Sequence, residues 1–217
     1  MKRLLFLGGV LLFSASVYLL GWSPLLVAEK IEVTGAPTPA AQTRVLQLAD
    51  IKAGEQLARI DVRALRAQLQ PLTWIEGVEI RRDWIGKKVT IAVTSRTPIA
   101  RINQRFLAED GVSFELPGGF TGEIPTVSAT SQRQAVDAAR LFTALPPDFR
   151  GKISQMRAQA SQFTIYLTDG QRKMELRWGS DSQNALKLQV YAELLQLPEN
   201  SKVTFIDLSA PRAPIVK

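Results

Sequence analysis

Neither cysteine nor histidine occurs anywhere in the 217 residues. Without cysteine there is no disulfide, no thiolate nucleophile and no cysteine-ligated metal site. Without histidine the commonest general base and the commonest zinc ligand are both gone. Other chemistry is missing too. The chain has no G-x-S-x-G nucleophile elbow, no S-x-x-K pair and no G-x-G-x-x-G loop. Gly86-Lys87-Lys88 and Gly151-Lys152-Ile153 lack the hydroxyl residue and glycine spacing of a phosphate-binding loop. Carboxylates could still act in pairs. However, Asp110 and Asp169 each precede a glycine, where a turn role suffices, and Asp207 reads as a strand-end salt-bridge partner. No catalytic residue, metal site or cofactor is expected, and binding or scaffolding is the favoured role. A histidine-free carboxylate hydrolase is the enzymatic alternative, and it would need two close carboxylates, one with a raised pKa.

Charge is sparse at the start of the chain. Met1-Lys2-Arg3 precedes a run over residues 4–28 with no charged side chain. As a helix, residues 4–22 reach about 28 Å, close to the hydrocarbon thickness of a bilayer. The positive-inside rule then keeps residues 1–3 in the cytoplasm and exports the rest. A cleaved signal peptide is the alternative, with Ser14-Ala15-Ser16 offering small residues near a cleavage site. An uncleaved helix over 4–26 is favoured, because the apolar run continues past Ser16, and Tyr18 and Trp22 suit an interfacial belt. The net charge of +7 fits a solvated surface with a modest basic excess, and nucleic acid is not an expected partner outside the cytoplasm.

Beyond the run, periodicity predicts a strand at 27–34, ended by Gly35-Ala36-Pro37. Thr38 is an N-cap candidate for a helix through Leu48, with Pro39 in its first turn. Asp61 reads as the N-cap of a second helix, with Val62, Leu65 and Leu69 on one face and Pro71 as its stop. Val78, Ile80, Arg82 and Trp84 then alternate against Glu79, Arg81 and Asp83, and Val89, Ile91 and Val93 alternate after Ile85-Gly86-Lys87. That is an antiparallel hairpin with one apolar face. Residues 27–95 therefore read β-α-α-β-β.

The second region begins at Pro98. Short strands are expected at 99–102, 105–109 and 112–116, and a helix at 132–145 ended by Pro146-Pro147. Strands follow at 153–159, 163–168 and 172–178, the last two joined at Asp169-Gly170. A helix starting at Asp181 or Ser182 carries Ala185, Leu188, Ala192 and Leu195 as its stripe. Residues 203–208 form a final strand, with Pro211 and Pro214 ending the pairing.

At the hairpin tip, Arg81, Arg82, Lys87 and Lys88 surround Trp84, a patch suited to an acidic partner or lipid head groups; a solvated hairpin whose Trp84 covers the sheet end is the favoured reading.

Several stretches carry a resemblance. Ile31-Glu32-Val33-Thr34-Gly35 looks like an opening strand after an anchor, and Gly54 with Leu57-Ala58-Arg59-Ile60-Asp61, Leu65 and Leu69 follows a G-x-x-L-x-x-I/V-D…L…L pattern. Residues 74–84 are similar to P-W-V-x-x-A-x-V-x-R-x-W, and Val93 with Arg96-Thr97-Pro98-Ile99-Ala100 to V-x-E-R-x-P-V-A. Asp110-Gly111-Val112-Ser113-Phe114 resembles D-x-x-G-x-x-F at shorter spacing, and Phe205-Ile206-Asp207-Leu208 a terminal V-D-L strand. Together they resemble the FtsQ/DivIB family of bacterial cell-division proteins. Ile85, Ser95 and Ser209-Ala210 depart from its pattern.

The resemblance implies an α+β chain: a tail at 1–3, a transmembrane helix at 4–26, a polypeptide-transport-associated (POTRA) domain at 27–96, and a mixed antiparallel-sheet β domain with helices at 97–217. It implies no enzymatic activity. It implies a single-pass scaffold in the inner membrane at the division septum, which links early and late division proteins and regulates septal wall synthesis. The implied partners are FtsB- and FtsL-like single-pass proteins and other divisome proteins. The implied contact is the terminal strand region, here Val203, Thr204, Phe205, Ile206, Asp207, Leu208, Ser209 and Ala210. A physical rationale fits it, since a short terminal strand can leave a free edge to which an extended peptide adds by backbone hydrogen bonds; the alternative is that the strand lies inside the sheet. Another exported POTRA-containing assembly or binding factor is the alternative.

Overall fold

The structure is a computed structural model and describes residues 2–21, 26–169 and 172–217. It opens with helix α1 (Lys2–Gly21), whose described side chains include exposed Phe6, Leu11, Leu12, Phe13 and Tyr18. Gly21 is the last described residue of this helix, and the expected boundary at 26 falls across residues outside those described. Residues 22–25, including Trp22, lie outside the described residues. Leu26 and Val27 already belong to the fold that follows, through a bond from the Leu57 N–H to the Leu26 carbonyl and a bridge between Val27 and Gln56. Among the described residues, no helix is long and apolar enough to cross a membrane.

The rest divides into two units. The first comprises Met1–Arg96 with Leu116–Gly119; the second comprises Thr97–Glu115 and Phe120–Lys217. The small segment Leu116–Gly119 thus groups with the first unit, where Thr38 Oγ1 donates to the Pro117 carbonyl.

In the first unit, β1 (Lys30–Thr34), α2 (Pro39–Ala49), α3 (Val62–Leu69), β2 (Ile75–Asp83) and β3 (Lys88–Ser95) follow in order. The three strands pair as β1-β3-β2, with β1 parallel and β2 antiparallel to β3. Period-two alternation puts Val89, Ile91 and Val93 inward, against Ala41, Val45, Leu65 and Leu69 from the helices and Trp74 before β2. The caps form as the sequence implies: Thr38 Oγ1 accepts from the Ala41 N–H at 3.0 Å, and Asp61 accepts from Arg63 and Ala64 at 2.8 and 3.2 Å. These backbone donors hold the Asp61 carboxyl below its usual range. The strand expected from residue 27 begins only at Lys30, because residues 26–28 bond instead to the loop at 54–57. Gly35 ends β1 at φ +78, where a Cβ would meet the Val93 carbonyl oxygen at 2.0 Å, so no other residue fits.

The second unit starts with a small sheet of β4 (Ala100–Ile102), β5 (Arg105–Leu107) and β6 (Ser113–Phe114). Its main sheet has six strands in the order β12-β11-β10-β9-β8-β7. These are β7 (Val127–Ala129), β8 (Ile153–Gln159), β9 (Gln162–Asp169), β10 (Arg172–Gly179), β11 (Phe205–Asp207) and β12 (Ile215–Val216). Helices α4 (Gln132–Ala144), α5 (Pro147–Arg150) and α6 (Asn184–Gln196) complete the unit. The sheet is mixed: β7 runs parallel to β8 and β10 parallel to β11, and the other pairs are antiparallel. Ile165, Leu167, Met174, Leu176, Trp178 and Ile206 share a core with Ala138, Leu141 and Phe142 of α4. The turn expected at Asp169-Gly170 reaches residues outside those described.

Other features also differ from the sequence expectation. Pro146-Pro147 ends α4 but also starts α5, since proline is well suited to a first helical turn. Helix α6 begins at Asn184, not Asp181, with Gln183 left-handed at φ 53. Its inward stripe is only partly the expected one: Leu188 and Leu195 pack against the core, but Ala185 and Ala192 are exposed, while Lys187 and Tyr191 are buried.

Candidate functional site

The expected terminal strand is shorter than residues 203–208 and is not the sheet edge. Only Phe205–Asp207 pair as β11, with Glu175, Leu176 and Arg177 of β10 on one side. On the other side, Ile206 faces Val216 and Asp207 faces Ile215 of β12. The prolines expected to end pairing shape a reversal instead. Asp207 Oδ1 accepts from the Ser209 N–H at 2.9 Å and from its hydroxyl at 2.6 Å, and the Ala213 N–H donates to the Ala210 carbonyl at 2.9 Å. Pro211 is buried in this bend, and Pro214 sits just before β12, where a missing N–H costs no ladder bond.

Strand β12 is therefore the rim. Lys217 and Phe205 exchange both backbone bonds, at 3.0 and 3.2 Å. In an antiparallel ladder the next pair, Val216 with Ile206, makes none, so the N–H and C=O of Val216 point away from the sheet. Ile215 beside it is 53% exposed. An outward donor and acceptor next to an exposed apolar side chain is the arrangement that an added strand requires.

The other expected contact residues serve mainly to hold this rim. The Val203 carbonyl accepts from Arg172 Nε at 3.2 Å, and Arg172 Nη2 also reaches the Asn200 carbonyl at 2.9 Å. Ile206 and Leu208 are fully buried, whereas Thr204, Ser209 and Ala210 are exposed. The Phe205 ring lies between two cations, 5.5 Å from the Arg177 guanidinium and 5.9 Å from Lys217 Nζ. Arg177 also bonds Asp207 at 3.2 Å. Burial pushes the Asp207 pKa up, but the Ser209 donors and Arg177 outweigh it, so the carboxyl titrates below its usual range. Gly179 closes β10 at φ +77, where a Cβ would stand 2.8 Å from Ser209 Cα, so the backbones of the two turns touch.

The basic hairpin tip is largely engaged. Arg81 pairs with Glu79 at 2.8 Å, Lys87 with Glu29 at 2.7 Å and Lys88 with Glu32 at 2.9 Å. Arg82 turns inward. Its Nη1 donates to the carbonyls of Leu57 and Ile60 at 3.1 and 3.4 Å, and its guanidinium lies 5.5 Å from the Trp84 ring centre. Arg82, which the sequence grouped with the tip, thus latches the loop before α3 to the sheet. Trp84 is 36% exposed and Ile85 97%.

Comparison with known proteins agrees with this architecture. Residues 27–96 match the family model of the POTRA domain, FtsQ-type, and residues 100–209 match that of cell division protein FtsQ/DivIB, C-terminal. The chain belongs to the FtsQ/DivIB family. A "Cell division protein FtsQ" from Myxococcus fulvus is 26% identical over 190 residues, covering 79% of this chain and 65% of the relative. Proteins of the same name from Streptomyces coelicolor and Geobacter sp. are 25% and 24% identical, over 94% and 89% of this chain and 83% and 76% of their own lengths. The chain thus spans just under two thirds of the Myxococcus relative. The FtsQ/DivIB C-terminal match stops at residue 209, before β12. Sequence reasoning missed that strand because two β-branched residues following Pro214 are too few to show an alternation.

Proposed function

We propose that this FtsQ/DivIB-family chain is a non-catalytic division scaffold. Helix α1 anchors it in the cytoplasmic membrane, with residues 1–3 inside and domains over 27–96 and 97–217 outside. It works at the septum, where it recruits FtsB- and FtsL-like single-pass proteins and other divisome proteins and regulates septal wall synthesis. The anchor reading is supported by the uncharged run after Lys2-Arg3 and by the exposed apolar side chains of α1. The non-catalytic reading is supported by membership of the FtsQ/DivIB family.

The observation that carries the partner reading is the outward backbone of Val216 on the rim strand. A partner segment adds beside β12, so the contact lies one strand beyond residues 203–210, which support it from behind. Val216→Pro removes the outward N–H and no ladder bond to β11. The expected result is loss of co-purification with the FtsB-like partner, with the unfolding midpoint unchanged. Retained binding by a folded Val216→Pro protein overturns strand addition at this rim. A fluorescent fusion of the full chain should also give a mid-cell band in dividing cells.

A further inference from the structure

We propose that the β2–β3 hairpin tip, Trp84-Ile85, is a wedge that rests in the head-group layer of the membrane anchored by α1; this builds on the anchor reading above. Chain geometry places the tip there. Strand β1 runs parallel to β3, with Lys30 opposite Lys88. The Glu29 N–H donates to the Lys87 carbonyl at 2.8 Å, and the Lys30 N–H to the same oxygen at 3.2 Å. The hairpin tip therefore lies at the end of the sheet where the chain arrives from α1. The folded unit already begins at Leu26, bonded to Leu57. Only residues 22–25 separate that point from Gly21, the last described residue of α1, and five residue steps span no more than about 18 Å. The head-group layer on one side of a bilayer is about 5–8 Å deep. The short tether keeps this end of the sheet within reach of the lipid surface.

The tip has the chemistry for that position. Ile85 is 97% exposed, yet its turn is ordered. Asp83 Oδ1 accepts from the Ile85 and Gly86 N–H groups at 3.1 and 2.8 Å. An isoleucine held in water by a fixed turn contributes nothing to the unit's own core, whereas in an interface it buries its whole side chain. Trp84 beside it is an interfacial residue by preference, and it stacks under Arg82. Lys87 and Lys88 flank the tip in exposed ion pairs with Glu29 and Glu32. Such pairs are weak, and their long stems let the ammonium groups exchange a carboxylate for a lipid phosphate.

The test uses the full chain in lipid nanodiscs. Because the protein has no cysteine, one introduced cysteine takes a fluorescent label at a single place. Labels at Ile85→Cys, at Glu76→Cys near the opposite end of β2, and at Leu11→Cys in α1 are read against nitroxide-bearing lipids. The expected result is loss of fluorescence at Ile85 with a shallow nitroxide and at Leu11 with a deep one, and no loss at Glu76. Quenching at Leu11 without quenching at Ile85 overturns the wedge and leaves the anchor standing. Quenching at Ile85 alone supports the wedge and removes the anchor, and quenching at neither site removes both. Equal quenching at Ile85 and Glu76 overturns the wedge in favour of loose adsorption. If Ile85 is shielded only when another division protein is added, the tip is a protein contact and the wedge falls.

Discussion

Lys187 Nζ donates to the carbonyl oxygen of Ser180 at 2.7 Å and lies 5.5 Å from the centre of the Trp178 ring. The lysine is 1% exposed. One ammonium thus ties helix α6 to the loop after β10, next to Gly179, the last residue of β10, which abuts Ser209 at the base of the rim. Trp178 completes the arrangement by donating its indole N–H to Asn184 at 3.0 Å. Support for the rim comes from a buried charge whose hydrogen-bond acceptor is backbone and whose flank is an aromatic face.

Desolvation lowers the Lys187 pKa, and the nearby Asp181 charge offsets it only in part. The unfolded chain binds this proton more tightly than the folded one. Lys187 therefore makes stability rise with pH, from its lowered folded value up to the ~10.4 of a free lysine. Lys187→Met should cost about 1–3 kcal/mol at neutral pH, because it leaves the Ser180 carbonyl without its donor. It should also remove that alkaline rise. Urea unfolding measured from neutral to alkaline pH checks both, and parallel pH profiles for the two proteins would contradict the assignment.

Arg81 and Arg82 are neighbours with different work. Arg81 forms an exposed pair with Glu79, so Arg81→Ala should leave the unfolding midpoint unchanged. Arg82→Ala should cost about 2–3 kcal/mol, because two loop carbonyls lose a charged donor. Denaturation of the two variants side by side decides this, and equal midpoints would refute the latch.

Asp207 holds the reversal between β11 and β12 through Ser209. Its folded pKa is depressed, so its contribution is present above the ~3.9 of a free aspartate and is lost as pH falls through the lower folded value. Asp207→Ala should speed amide exchange at Lys217, whose N–H bonds Phe205, more than at the strands behind it. Hydrogen exchange by NMR reports this directly. Unchanged protection at Lys217 would show that the rim does not depend on the Asp207 cap.

Much of the fold was legible residue by residue. The β2–β3 hairpin and the β9–β10 pair carry unbroken alternation, and a half-buried strand needs nothing more to be recognised. Thr38 and Asp61 announce α2 and α3 because capping is a local reaction between a side chain and the next few N–H groups. The candidate site was legible only in part. Residues 203–210 lie at one end of the main sheet, but the rim at that end is Ile215–Val216.

The sequence alone determined the elements whose stabilising partners lie within a few residues: the caps, the alternating hairpins, and the charge-free run of α1. Tertiary structure decided where the sheet ends and which charges face inward. Strand β12 exists because β11 supplies its hydrogen bonds from the far side of a proline-bearing bend. Lys187 and Arg82 turn inward because distant backbone carbonyls and aromatic faces await them there. Such acceptors come together only when the chain is folded, so no local pattern of residues encodes them.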